Sequence, residues 1–134
     1  MIISASRRTD IPAFYAYWLI NRLNAGYCLV KNPFNPAQIK RVSLLPEDVD
    51  GIVFWTKNAA PLLPKISALN NFSCYFQYSI TPYHSEIEGG LADKKETIIP
   101  VFLKLADIIG ARRMIWRYDP IIIKIGRASC RERV

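Results

Sequence analysis

The sequence holds little of what most catalytic signatures are built from. It has one histidine, His84, and three cysteines, Cys28, Cys74 and Cys130, far apart and odd in number. That spacing excludes a paired disulfide framework and a CxxC metal knuckle. Cys28 and Cys74 lie in apolar, strand-like runs and read as small buried thiols. No P-loop, GxGxxG, HExxH, GxSxG or CxxxCxxC string occurs. No stretch approaches the roughly 18–20 uninterrupted apolar residues of a membrane span. Met1-Ile2-Ile3-Ser4 lacks the basic-then-apolar layout of a signal peptide. A cytoplasmic protein with no membrane partner is the expectation.

What is present is an ordinary globular composition, 51% hydrophobic and 22% charged over 134 residues. The formal net charge is +7. Setting aside residues 125–134, with three arginines and one glutamate, leaves 15 basic and 10 acidic residues, or +5. Such a mild excess suits an anionic ligand without requiring nucleic acid, and ordinary surface charge is the simpler explanation.

The segment Ile125–Val134 has no apolar period and no turn logic. It reads as one frame of a common short-read sequencing adapter, and an AAG codon for Lys124 would extend the match by one residue. The expectation is a native part over 1–124 and a non-native read-through tail over 125–134. Cys130 and the terminal arginines would then carry no function.

Along the rest of the chain, strands and helices alternate. Ile2–Ser6 reads as a strand, and Asp10 as the cap of a helix over Pro12–Asn24 with Phe14, Tyr17, Trp18, more weakly Leu19, and Leu23 on its apolar face. Ala25-Gly26 ends it. Tyr27–Val30 and Ile39–Leu44 suggest a hairpin around the turn-forming Asn32-Pro33-Phe34-Asn35. Gly51–Trp55 is a continuous apolar run, as in a strand covered on both faces. Pro61–Leu69 reads as a helix, Cys74–Ile80 as a strand, Ala92–Ile109 as a helix disturbed at Pro100, and Arg113–Tyr118 as the fourth core strand. The order β-α-(hairpin)-β-α-β-α-β predicts an α/β fold with a parallel sheet. Four such units amount to half of an eight-unit barrel.

The polar residues fall in a pattern. Each core strand begins apolar and ends in Arg7-Arg8-Thr9-Asp10, Thr56-Lys57-Asn58, Ser79–Thr81 or Arg117–Asp119. In parallel barrels and open sheets the C-terminal strand ends form the binding face. Alternation separates Tyr75, Gln77, Ser79 and Thr81 from Phe76, Tyr78 and Ile80. It likewise separates Arg113, Ile115, Arg117 and Asp119 from Met114, Trp116 and Tyr118. The polar set would face the interior of a barrel, the apolar set the helices. An isolated ion there would be costly, so Arg117 requires a carboxylate or an anionic ligand. Two readings stay open: a structural ion-pair network involving Arg8, Arg117, Asp10 and Asp119, or a ligand site at the same mouth. Lys57 fits a phosphate contact or a solvated loop. His84 reads as a loop residue and Trp18 as core. Trp55 shares parity with Lys57 and fits either the core or the mouth.

Five strings then carry a resemblance: Ser4-Ala5-Ser6-Arg7-Arg8-Thr9-Asp10-Ile11-Pro12, Asn32-Pro33-Phe34-Asn35, Val53-Phe54-Trp55-Thr56-Lys57-Asn58, Tyr75-Phe76-Gln77-Tyr78-Ser79-Ile80-Thr81 and Ile115-Trp116-Arg117-Tyr118-Asp119-Pro120-Ile121. Together they resemble the bacterial domain-of-unknown-function family numbered eighteen-forty-eight, over Ile2 to about Ile123. The resemblance implies a C-terminal cysteine cluster similar to that of radical S-adenosylmethionine enzymes. A full-length protein would then use a [4Fe–4S] cluster and S-adenosylmethionine. Such a segment would follow Lys124, so no cofactor or metal ligand is expected in residues 1–124, and a lone Cys130 cannot chelate a cluster.

The reading is therefore the front half of a TIM-like (β/α) barrel with an inserted hairpin. Arg7, Arg8, Asp10, Lys57, Asn58, Gln77, Thr81, Arg117 and Asp119 are its expected mouth residues, binding an anionic small molecule or nucleotide. The alternative is a nucleotide- or nucleic-acid-binding barrel without redox chemistry. Open sheet edges predict self-association and no activity for the chain by itself.

Overall fold

The run Gly-Ile-Val-Phe-Trp-Thr forms one of the two inner strands of a parallel sheet, and the other core strands assemble beside it. The computed structural model describes residues 1–84, 86–118 and 121–122. The strands are β1 (Ile2–Ser4), β2 (Tyr27–Lys31), β3 (Ile39–Ser43), β4 (Gly51–Thr56), β5 (Cys74–Ser79) and β6 (Met114–Arg117). The helices are α1 (Ile11–Phe14), α2 (Ala16–Ala25) and α3 (Ile99–Ile109), with 3₁₀ segments at Ala60–Leu69 and Ala111–Arg113 and a π turn at Lys94–Ile98.

Four strands pair in parallel in the order β1-β4-β5-β6, while β2 and β3 form a separate antiparallel hairpin. The α/β class, the parallel sheet and the inserted hairpin are as the sequence predicts. Among the described residues the sheet is open, with β1 and β6 at its edges, and no barrel closes.

Register explains which face is core. Ile52 pairs with Cys74, Phe54 with Phe76 and Thr56 with Tyr78, and all six are buried. Phe54 and Phe76 stack at 4.7 Å, and Tyr78 meets Phe102 of α3 edge-on at 5.4 Å. Leu62, Leu69, Ile98 and Leu105 complete this core from the helical layer. Residues of the other parity, including Val53, Trp55, Tyr75, Gln77 and Ile115, lie on the uncovered face, so among the described residues β4 is not covered on both faces as its continuous apolar run predicts.

The three predicted helices and Trp116 differ from expectation. The predicted Pro12–Asn24 helix is two helices, separated by Tyr15 at φ −131°. Its buried stripe is Ala16, Leu19, Ile20 and Leu23, spaced i, i+3, i+4, i+7. Phe14, Tyr17 and Trp18 lie off that stripe and are exposed, so Trp18 is not core. The Lys65 ammonium sits 3.5 Å from the Tyr17 ring centroid. The Pro61–Leu69 helix is 3₁₀, kinked at Lys65, because Pro64 supplies no N–H inside it. Pro100 accounts for the π turn ahead of α3, since its missing N–H cannot bond the Glu96 carbonyl. Trp116 has the parity of the core set but sits on an edge strand and is 61% exposed.

Gly26 is required where it stands. It closes α2 at φ +79°, its N–H donates to the Arg22 and Leu23 carbonyls, and its own carbonyl accepts from Leu44 N–H. A Cβ there would lie 2.9 Å from Leu45 Cδ2. In the hairpin loop, Asn32 Oδ1 accepts from Phe34 N–H and Asn35 Oδ1 from Ala37 N–H. The Asn-Pro-Phe-Asn segment is thus a braced turn. No helix among the described residues is long and apolar enough to cross a membrane. Asp119, Cys130 and residues 125–134 lie outside the described residues.

Candidate functional site

The C-terminal ends of β1, β4 and β5 meet at one place because the strands are parallel and in register. Asp10, after β1, joins two of these ends. Its Oδ1 accepts from Ala13 N–H, capping α1. Its Oδ2 accepts from the Lys57 backbone N–H at 2.8 Å, just beyond β4. Both carboxylate oxygens are thereby engaged with backbone donors, which makes Asp10 a brace that sets where Lys57 leaves the strand.

The turn after β4 is held from below as well. Thr56 Oγ1 accepts from Asn58 N–H, Asn58 Oδ1 accepts from Ala60 N–H, and the Tyr78 hydroxyl accepts from Ala59 N–H at 3.0 Å. Burial pushes the Tyr78 phenol up to about 12, although the Ala59 N–H opposes the shift. Tyr78 is therefore a fixed neutral acceptor.

Above this turn lies Glu88, in the segment between β5 and α3. His84, exposed in the same segment, accepts through its carbonyl from Ile87 and Glu88 N–H. The Glu88 side chain is 10% exposed. Lys57 Nζ donates to its Oε1 at 2.5 Å, and Lys94 Nζ at 2.5 Å and Thr81 Oγ1 at 2.8 Å donate to its Oε2. Lys94 also donates to the Thr81 and Tyr83 carbonyls. Burial of the carboxyl works to raise its pKa, but the donors Lys57, Lys94 and Thr81 outweigh it and hold Glu88 at about 2. It is an anion throughout the physiological range.

These groups border an open cavity of about 540 Å³. Asp10, Thr56, Lys57, Asn58, Ser79 and Glu88 line its polar part, and Ala13, Phe14, Trp55, Ile87 and Leu91 its apolar part. Beside it on the uncovered sheet face, the Arg117 guanidinium lies 5.4 Å from the Trp55 ring centroid and donates to Gln77 Oε1 at 3.2 Å. A second cavity, of about 550 Å³, lies at the opposite strand ends near Ile2, Asp50, Gly51, Ser73, Arg112 and Arg113.

Of the nine residues singled out in the sequence, Asp10, Lys57 and Asn58 line the first cavity. Thr81 is buried beneath it and reaches it through Glu88. Gln77 and Arg117 form a pair next to Trp55. Arg8 turns the other way, donating to the Lys31 carbonyl of the hairpin, and Arg7 is exposed without lining the cavity. Glu88 and Lys94 escape a strand-end reading because a loop and a π turn carry them. The Gly89-Gly90 pair beside Glu88 is the one local signal. Cys28 and Cys74 are buried free thiols whose burial pushes both up. No cluster of three His, Cys, Asp or Glu side chains suited to a metal ion occurs among the described residues.

Compared with known proteins, the chain matches a family model described as "Domain of unknown function (DUF1848)" over residues 2–130. No curated protein matches, and no solved structure matches.

Proposed function

This chain belongs to the DUF1848 family, and on that premise we propose that it binds a small anionic molecule bearing a planar ring, of which a nucleotide is the simplest case. The ligand occupies the cavity at the C-terminal strand ends. The observation that carries this reading is the pairing, across one cavity of about 540 Å³, of the half-exposed Trp55 ring with the Lys57 ammonium. A planar ring can stack on the exposed Trp55 indole, where aromatic stacking adds to the burial of apolar area. The anionic group meets Lys57. Arg117 and Gln77 stand beside Trp55, where their N–H groups can donate to a polar ring edge.

The same reading treats the sheet as the wall of a (β/α) barrel. Supporting it are the all-parallel pairing, the neighbours following chain order apart from the hairpin, and an uncovered face on which Tyr75 and Ile115 are exposed. The [4Fe–4S] and S-adenosylmethionine chemistry rests on the resemblance alone. Cys28 and Cys74 do not fit a cluster, because each is buried in a different element and no third ligand joins them among the described residues.

The positions of the basic residues favour nucleic acid less as a partner. Arg8 faces the hairpin, while Arg112 and Arg113 border the cavity at the opposite strand ends. Calorimetric titration with adenosine monophosphate distinguishes the readings. Lys57→Ala and Trp55→Ala are each expected to weaken binding at least about tenfold, the effect of losing about 1.4 kcal/mol. Variants that bind as tightly as the parent place the site elsewhere. Tighter binding to a single-stranded oligonucleotide, with a steep salt dependence, favours nucleic acid.

A further inference from the structure

Lys57, Thr81 and Lys94 enclose a carboxylate that belongs to the chain itself. We propose that Glu88 is an internal stand-in for the ligand's anion: its carboxylate occupies the anion subsite, and a phosphate or carboxylate group of the ligand displaces it from Lys57. This rests on the ligand-binding reading above and adds how the site is kept when empty.

Three observations carry it. First, the donor set is that of an anion site: two ammonium groups and a hydroxyl converge on two oxygens, all at 2.5–2.8 Å. Second, the two lysines differ. Lys94 is 21% exposed and is also tied to the Thr81 and Tyr83 carbonyls, so it stays with the segment that carries Glu88. Lys57 is 45% exposed, lines the cavity, and is the contact that joins the β4 end to Glu88. It can exchange partners without dismantling the Lys94 bonds. Third, Glu88 is followed by Gly89-Gly90, both in the cavity wall, with Gly90 at φ +79° and nothing within 4 Å of where its Cβ would be. The backbone there can shift to let the carboxylate withdraw.

The exchange conserves charge pairing. Lys57 leaves one oxygen anion for another, while Glu88 keeps Lys94 and Thr81. An empty site therefore never holds an unpaired lysine, and the apparent affinity for a ligand is reduced by the fraction of time Glu88 occupies the subsite.

The test titrates inorganic phosphate into the full chain and follows amide resonances by NMR. Glu88→Gln is expected to bind phosphate about tenfold more tightly than the parent, as for a competitor that leaves the subsite open about a tenth of the time. Lys57→Gln is expected to lose binding, and Lys57→Arg to keep it. Equal or weaker binding by Glu88→Gln overturns the proposal and makes Glu88 a positioning residue. Should Glu88→Gln fail to fold, the parent decides: saturating phosphate moves the Glu88–Ala92 amides if Glu88 is displaced, and unmoved amides overturn the displacement. If phosphate binds neither protein, the internal-anion claim falls. Adenosine monophosphate then separates the two readings: binding through its ring keeps the ligand site, and no binding removes both.

Discussion

Asp10 holds the candidate site together through two backbone bonds, so its replacement is the most informative single change. Asp10→Ala removes the cap of α1, worth about 1 kcal/mol, and the carboxylate bond to Lys57 N–H, worth about 1.5–3 kcal/mol for a charged acceptor. The two bonds share one half-buried side chain and are not additive, which brings the expected loss to about 2–3 kcal/mol. At about 4 °C per kcal/mol for a domain of this size, the melting temperature falls by about 10 °C. Asp10→Asn keeps one carbonyl acceptor of the two and should lose about half as much. Urea unfolding followed by circular dichroism reads both, with an unchanged slope showing that only stability has moved. If both variants unfold within about 0.5 kcal/mol of the parent, the surface-substitution range, Asp10 is not the brace described.

Tyr78→Phe leaves Ala59 N–H buried without its acceptor and is expected to cost about 1–3 kcal/mol in the same urea assay; a neutral result contradicts that bond. For Glu88, the folded pKa of about 2 lies below its ordinary 4.5, so its ionic contribution is complete above about pH 4.5 and is lost as pH falls toward 2. The difference in melting temperature between the parent and Glu88→Gln should accordingly be constant above about pH 5 and shrink below it; a difference that grows with acid has the wrong sign. Cys28 and Cys74, buried and pushed up in pKa, should resist alkylation in native protein and label fully in denaturant, as read by peptide mass spectrometry.

The sheet was legible because period-2 alternation is a local signal with a large energy behind it. The buried Phe76 and Tyr78 and the turn polarity of Thr56-Lys57-Asn58 could be placed from spacing alone, whereas the continuous apolar run of β4 hid that Ile52 and Phe54 face the helices and Trp55 does not. The helices were less legible where aromatics compete with smaller residues for the core. Ala16, Leu19, Ile20 and Leu23 win the inner stripe and leave Phe14, Tyr17 and Trp18 outside. The prolines at 64 and 100 altered helix type rather than helix position. In the site, strand-end residues were readable, whereas Glu88 and Lys94 depend on how one segment folds back over the sheet. No periodicity encodes that return. Arg8 shows the converse: a basic residue at a strand end is drawn to a hairpin carbonyl 23 residues away in sequence.

The most direct test of the ligand site maps where adenosine monophosphate touches the isotopically labelled chain. The account predicts that amide shifts concentrate on Asp10, the Trp55–Asn58 turn, Ser79 and the Ile87–Ala92 wall. Shifts confined to Ile2, Gly51, Ser73, Arg112 and Arg113, around the cavity at the opposite strand ends, would contradict it.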